Sequence, residues 1–158
     1  MLELLEAAGE LAFHRGAFSP GHFTASAFVV GPGEDELLLI LHAKLGRWLQ
    51  PGGHVDAEDA TLLAAARREL AEETGLAEVD VLSEAPFDLD VHRIPAGRAP
   101  AHLHFDVRYL FRARARALRA ATDAADARWV PLAEVASLER DASVLRAVAA
   151  LERARASR

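Results

Sequence analysis

Glu69, Glu72 and Glu73 stand at i, i+3 and i+4 in the segment Arg68-Glu69-Leu70-Ala71-Glu72-Glu73-Thr74-Gly75-Leu76. On a helix that spacing stacks their carboxylates on one face, about one turn deep. Like charges so close repel, and the helix alone is destabilised by them. A glycine-rich stretch, Pro51-Gly52-Gly53-His54, comes shortly before. Hard oxygen donors beside such a turn suit a divalent cation, since Mg²⁺ is held by a few carboxylates together with water and substrate phosphates. The pattern points to metal-assisted chemistry on a phosphorylated substrate. The competing reading is a solvated acidic helix face, and the glycines on either side weigh against it.

Residues 53–76 resemble the Nudix box: Gly, five residues, Glu, seven residues, then Arg-Glu-apolar-x-Glu-Glu-x-Gly-apolar. Gly53 opens it, Asp59 stands at the first acidic place, and Arg68 through Leu76 match the remainder without a gap. Asp59 replaces Glu, and eight residues separate it from Arg68 instead of seven; the extra residue falls within Ala60 to Arg67. Lys44-Leu45-Gly46-Arg47-Trp48-Leu49-Gln50-Pro51 leads into the box as a strand and turn do in that family. Trp129-Val130-Pro131-Leu132 looks like its last strand entering its last helix.

The resemblance implies an α/β fold, the α/β/α Nudix sandwich with a mixed sheet. It also implies Mg²⁺ or Mn²⁺ as cofactor. Glu72 and Glu73 become the core metal ligands, Glu69 a ligand or base, and the Gly52 carbonyl a further oxygen. Arg68 becomes the residue that orients the glutamates while pairing with the acid at Asp59. The reaction implied is water attack on phosphorus in a nucleoside diphosphate linked to another group. In the absence of the family's markers for other substrates, a nucleoside triphosphate or nucleotide sugar is the default. A nucleotide-binding sensor without catalysis is the alternative; the complete glutamate set opposes it. The diphosphate-isomerase branch of the fold uses a catalytic cysteine, and this chain has none.

Outside the glutamates the candidates are open. Lys44, the single lysine, and Arg47 precede the box and either meet phosphate or lie on the surface. His54 reads as a loop histidine, or as a phosphate contact or proton shuttle. Asp56 and Glu58 read as loop acids on the rim of the metal site. His102, His104 and Asp106 share one strand face, as do Asp88, Asp90 and His92. Such faces are common on exposed strands, yet two neighbours rich in His and Asp can supply a general base or a second metal site. His104 and Asp106 are the residues kept from them. Trp48 reads as packing.

The elements that must position these groups follow from patterning. A helix is expected over 2–15, with buried strands over Phe23–Val30 and Leu37–Leu41 and a turn at Pro32-Gly33-Glu34-Asp35. The box helix should run from about Ala60 to Thr74, capped by Asp59 or Thr61 and stopped by Gly75. Alternating strands are expected at Phe87–Ile94 and His102–Arg112, then a strand at Arg128–Pro131 and a last helix over about Val144–Arg155.

The 158 residues are expected to form one domain, 1–158, and being 51% apolar they can bury a core. Without cysteine the chain has no disulfides and no thiolate sites, which suits a cytoplasmic protein. A net charge of −6 argues against a nucleic-acid polymer as partner, and no apolar run is long enough to span a membrane. The expected partner is a small nucleotide or diphosphate. A homodimer through the apolar side of the N-terminal helix is the oligomer the resemblance suggests.

Overall fold

A computed structural model of the chain describes residues 1–43, 45–119, 124–139 and 141–156. Its eight strands are β1 (Gly21–Val30), β2 (Glu36–His42), β3 (Arg47–Leu49), β4 (Gly52–His54), β5 (Val79–Val81), β6 (Asp88–Ile94), β7 (His102–Ala113) and β8 (Ala124–Pro131). The helices are α1 (Leu2–Ala8), α2 (Leu62–Thr74), α3 (Leu132–Leu138) and α4 (Ala142–Ala156). The strands form one sheet in which β3, β2, β1, β7 and β5 lie in that order; β4 also pairs with β1, β6 with β7, and β8 with β2.

The sheet is mixed because β1 and β7 run parallel, aligned from Gly21↔Leu103 to Val30↔Arg112. The other pairings are antiparallel. All ten residues of β1 are buried, as a central strand covered on both faces requires. Its odd-numbered residues Phe23, Ala25, Ala27 and Val29 join a core with Ala65, Ala66 and Leu70 of α2. On the opposite face Phe28 and Val30 join Leu37, Leu39, Val135, Val144, Ala147 and Leu151, placing α3 and α4 there. Helices on both faces make the fold an α/β/α sandwich. The small alanines of α2 let its backbone lie close against β1.

On the α3–α4 face the parallel pair changes character along its length. Phe28 and Leu110 pair at its apolar end; then come Ser26 with Arg108, Thr24 with Asp106 and His22 with His104. At the polar end β1 has exchanged partners. It meets β2 only at Val30↔Leu37, and over Thr24–Ser26 it is paired with β4, the glycine segment. The division between β2 and β4 opens the sheet above the polar half of β1.

Several expectations are corrected. The N-terminal helix stops at Ala8, because Gly9 has φ 53°, and continues as a 3₁₀ turn over Gly9–Phe13. The strand at Pro131 enters α3, a separate short helix before α4, so it does not lead directly into the last helix. The three-residue strand β5 was too short for its alternation to be read. In β6 the alternation is present with its polar side turned inward: Leu89 and Val91 are half exposed, whereas the Asp88 and Asp90 carboxylates are largely covered. The buried Arg108 and the half-exposed Arg146, on neighbouring elements, make that inversion favourable. Lys44 lies outside the described residues.

A carboxylate-lined cleft and the histidines beside it

Helix α2 starts at Thr61, whose hydroxyl accepts the Ala64 N–H at 3.0 Å, and stops at Gly75 in the left-handed conformation, φ 69°. Of the two expected caps, Thr61 is therefore the one used. Asp59 is left free for another partner. Together with Asp56 it makes a tight turn, its carboxylate accepting the Asp56 N–H at 2.9 Å. That turn presents Asp59 to Arg68 despite the residue added between them.

Arg68 is the organiser of the site. Its Nη2 donates to Asp59 Oδ2 at 2.8 Å and to the His54 carbonyl at 2.9 Å. Its Nε reaches both Asp59 oxygens at 3.2 Å, and Nη1 reaches Glu69 Oε1 at 3.0 Å and Glu72 Oε2 at 3.2 Å. One rigid fork thus fixes the glycine strand, the turn acid and two of the three glutamates. Hydrogen bonding to Arg68 lowers the Asp59 pKa. Glu69 is raised instead: burial dominates, and Arg68 offsets it only in part.

The third glutamate is tied to the strand. Glu73 Oε2 accepts the Gly52 N–H at 2.9 Å. Gly53 lies so near Glu69 that a Cβ there would stand 2.5 Å from Oε1, so a side chain would displace the carboxylate. The glycine pair and the glutamates therefore form one surface. They line a cleft of about 510 Å³ together with Gln50, His54, His92, His104 and Asp106. A larger hollow of about 790 Å³ lies alongside, bounded by Phe13, Val55, Leu62 and Tyr109, and none of the three glutamates borders it. The cleft is the better site because the donors converge there.

The donor set fits a hard divalent cation. Glu69, Glu72 and Glu73 offer oxygens at one helix face on the cleft. Burial disfavours the Glu69 anion, and a cation beside it would stabilise it.

The remaining candidates separate. Arg47 does not border the cleft: its Nη2 donates to Glu139 at 2.7 Å and to Asp141 at 2.9 Å, which ties β3 to the start of α4. Trp48 packs beneath the Arg128 guanidinium, 3.9 Å from the ring centre, as the packing reading expects. Asp106 borders the cleft, but its oxygens are already occupied. Oδ1 accepts from Thr24 at 3.1 Å and Ser26 at 2.8 Å, and Oδ2 from Arg108 at 2.8 Å and Gln50 at 3.4 Å. With both oxygens engaged, its reach to substrate is through Gln50. Asp56 is exposed on the rim and lies 3.5 Å from Arg68.

His54 and His104 do reach the cleft. Burial, with Arg15 and neighbouring histidines adding to it, lowers His54 to about 4. Burial and the imidazoles of His22, His54, His92 and His102 lower His104 to about 3. Both are neutral near pH 7. Their rings lie 5.3 Å apart, and His22 lies 5.1 Å from His54 and 4.8 Å from His104.

His22, Thr24, Ser26 and Arg108 were not singled out from the sequence. The strand over Phe23–Val30 reads as apolar, and only the parallel register sets its polar residues against β7.

The NUDIX domain family model matches residues 20–151. No curated protein matches the chain significantly. Among solved structures, a NUDIX-family hydrolase from Clostridium perfringens is 24% identical, with a TM-score of 0.64 over 83% of this chain and 96% of its own. The Ap4A hydrolase of C. elegans in a binary complex is 15% identical, with a TM-score of 0.66 over 86% and 98%. The NUDIX domain of Shewanella oneidensis NrtR, complexed with ADP ribose, is 23% identical, with a TM-score of 0.56 over 87% and 86%. At these identities the structural likenesses establish the fold.

Proposed function

We propose, from the premise that this chain belongs to the NUDIX family, that it is a Mg²⁺- or Mn²⁺-dependent pyrophosphohydrolase acting on a small nucleotide. The bond cleaved is a phosphoanhydride in a nucleoside diphosphate linked to a further group, of the nucleoside triphosphate or nucleotide-sugar type. The observation that carries this reading is the Arg68 fork, which holds Glu69 and Glu72 on the cleft beside the glycine strand. A sensor that had lost catalysis would have no need of so complete an arrangement.

Glu72 and Glu73 would hold the cation, with Glu69 and the Gly52 carbonyl as further oxygens. A divalent ion bound there withdraws charge from the diphosphate and acidifies the attacking water. Arg68 keeps the carboxylates apart and aimed, which removes reorganisation from the reaction. Glu69, raised by burial, is suited to take the proton from water. His54, neutral on the cleft wall, can donate to phosphate oxygens through a ring N–H. Asp106 fixes Gln50, whose amide completes that wall.

Metal-dependent hydrolysis tests the proposal. Purified protein with Mg²⁺ or Mn²⁺ is offered nucleoside triphosphates, nucleotide sugars and dinucleoside polyphosphates, and product masses are read. Cleavage abolished by EDTA is expected. Binding of a nucleotide without turnover would favour the sensor reading. A homodimer would use the exposed Leu2 and Leu11 of the N-terminal segment, and a monomer in sedimentation velocity would overturn that part. Among the described residues no helix is long and apolar enough to cross a membrane.

A further inference from the structure

Behind the wall of the cleft, at the polar end of the parallel β1–β7 pair, lie three imidazoles that the hydrolytic reading does not use. His22 is fully buried and His102 nearly so, while His104 is partly buried on the cleft side. One ring nitrogen from each lies within 4.8 Å of the others. His22 Nδ1 bonds the Ala17 carbonyl at 2.9 Å, and His102 Nδ1 bonds the Pro100 carbonyl at 2.7 Å. A carbonyl only accepts, so both Nδ1 atoms carry the proton and both Nε2 atoms present a lone pair. His22 Nε2 is buried with no hydrogen-bond partner.

An imidazole whose far nitrogen is fixed on a carbonyl is in the state metal-binding histidines adopt, with tautomer and ring direction set in advance. The His102–His104 spacing agrees. Two ligands each about 2.0–2.1 Å from one tetrahedral ion are roughly 3.3–3.4 Å apart, and His102 Nε2 and His104 Nε2 are separated by 3.3 Å. In the metal-free chain His104 Nε2–H donates across that gap, because His102 Nε2 is already the acceptor. Binding needs the His104 proton to move to Nδ1, with none released, and the three nitrogens, now within 4.8 Å of one another, to settle at ligand spacing. Buried, orphaned lone pairs are costly, and an ion removes that cost at His22.

We infer that His22, His102 and His104 form a tris-histidine site for a transition-metal ion of the Zn²⁺ class. Imidazole nitrogen selects Zn²⁺, Co²⁺, Ni²⁺ or Cu²⁺ over Mg²⁺, so this site and the glutamate site differ in the ion they take. The inference stands on its own residues and does not depend on the hydrolase reading. His22 and His104 are paired in register on neighbouring strands, and His102 follows the loop that ends at Pro100. An ion there staples that loop, the start of β7 and the start of β1 together. His54, whose ring lies 5.1 Å from His22, places the ion next to the glycine strand of the cleft.

The test uses the tag-free chain stripped of metal, with Zn²⁺ affinity measured by competition against a chromophoric chelator in excess Mg²⁺. One Zn²⁺ per chain is expected, bound equally by wild type and by the Glu72→Gln/Glu73→Gln double variant, and raising the unfolding temperature of both. Loss of an outer partner of a metal ligand typically costs about 10–100-fold in affinity, so loss of a ligand in His104→Gln or His22→Gln should cost at least about 100-fold. His104 is partly exposed, and His104→Gln carries the test should His22→Gln not fold. Co²⁺ substitution should give the intense visible bands of a tetrahedral nitrogen site, absent in His104→Gln. Wild-type Zn²⁺ affinity in a folded His104→Gln chain, or Zn²⁺ binding abolished by the glutamate double variant, would overturn the inference.

Discussion

Arg68 and Arg108 each gather a set of carboxylates, and the two sets do opposite things. Around Arg108 every acid is answered. The residue is 1% exposed, and its guanidinium bonds Asp106 at 2.8 Å, Asp88 at 3.0 Å and Ser143 on α4. Arg146 covers the outer oxygens of Asp88 and Asp90. Around Arg68 the charges do not balance: one cation meets Asp59, Glu69 and Glu72, with Asp56 nearby, and the Glu72 side chain is 57% exposed at the cleft. A closed network holds strands and helix together; an open one keeps acceptor capacity for something that arrives. The difference lies in saturation and burial, since the residue types are the same.

The sharpest way to break this comparison is to neutralise the cleft glutamates. Glu73→Gln or Glu72→Gln should lower kcat/KM by about 10⁴-fold, roughly 5 kcal/mol, while the unfolding midpoint changes little. Wild-type turnover in both variants would mean the cleft glutamates are only surface charge. Next is Arg108→Met, which leaves Asp106 buried without its cation; it should cost about 3–5 kcal/mol in denaturant unfolding. A loss under about 1 kcal/mol would show that the closed network is structurally idle. Arg68→Met should reduce kcat/KM by about 10–100-fold through misplaced glutamates and destabilise less than Arg108→Met does. Equal destabilisation of the two arginine variants would erase the distinction.

The smallest effect concerns Asp141, which caps α4 and binds Arg47. Burial pushes its pKa up, but hydrogen bonds from Ser143, Arg47 and the Val144 N–H outweigh it and bring the value down to about 2. The native chain therefore holds this proton more weakly than the unfolded chain, whose Asp titrates near about 3.9. The stability so gained is present above about pH 4 and is lost as pH falls towards 2. Asp141→Ala should cost about 1 kcal/mol at pH 7, and the cost should shrink across that window. A pH-independent difference between the two chains would remove the capping carboxylate from the account.

The glutamate site was largely legible because its geometry is local. Three carboxylates within one helical turn, a capped start and a glycine stop are all set by neighbours in sequence, and Arg68 is adjacent to what it aligns. Even Asp59, displaced by one residue from the Nudix spacing, kept its partner because a turn absorbs a residue easily. The β6 face misled because alternation gives two faces without saying which is inside; buried Arg108 and exposed Arg146, both remote in sequence, turned the acids inward. Arg47 misled for a related reason: its partners Glu139 and Asp141 lie some ninety residues on.

By itself the sequence determined the α/β class, the helix that carries the glutamates and the family, because each rests on short-range periodicity or on an uninterrupted motif. Only the tertiary structure decided which acids are saturated and which stay open, and only it brought His22 against His102 and His104. Those outcomes depend on the parallel register of β1 and β7 and on the exchange of β2 for β4 beside β1. Pairings between distant segments fix them, and no local pattern encodes such a pairing.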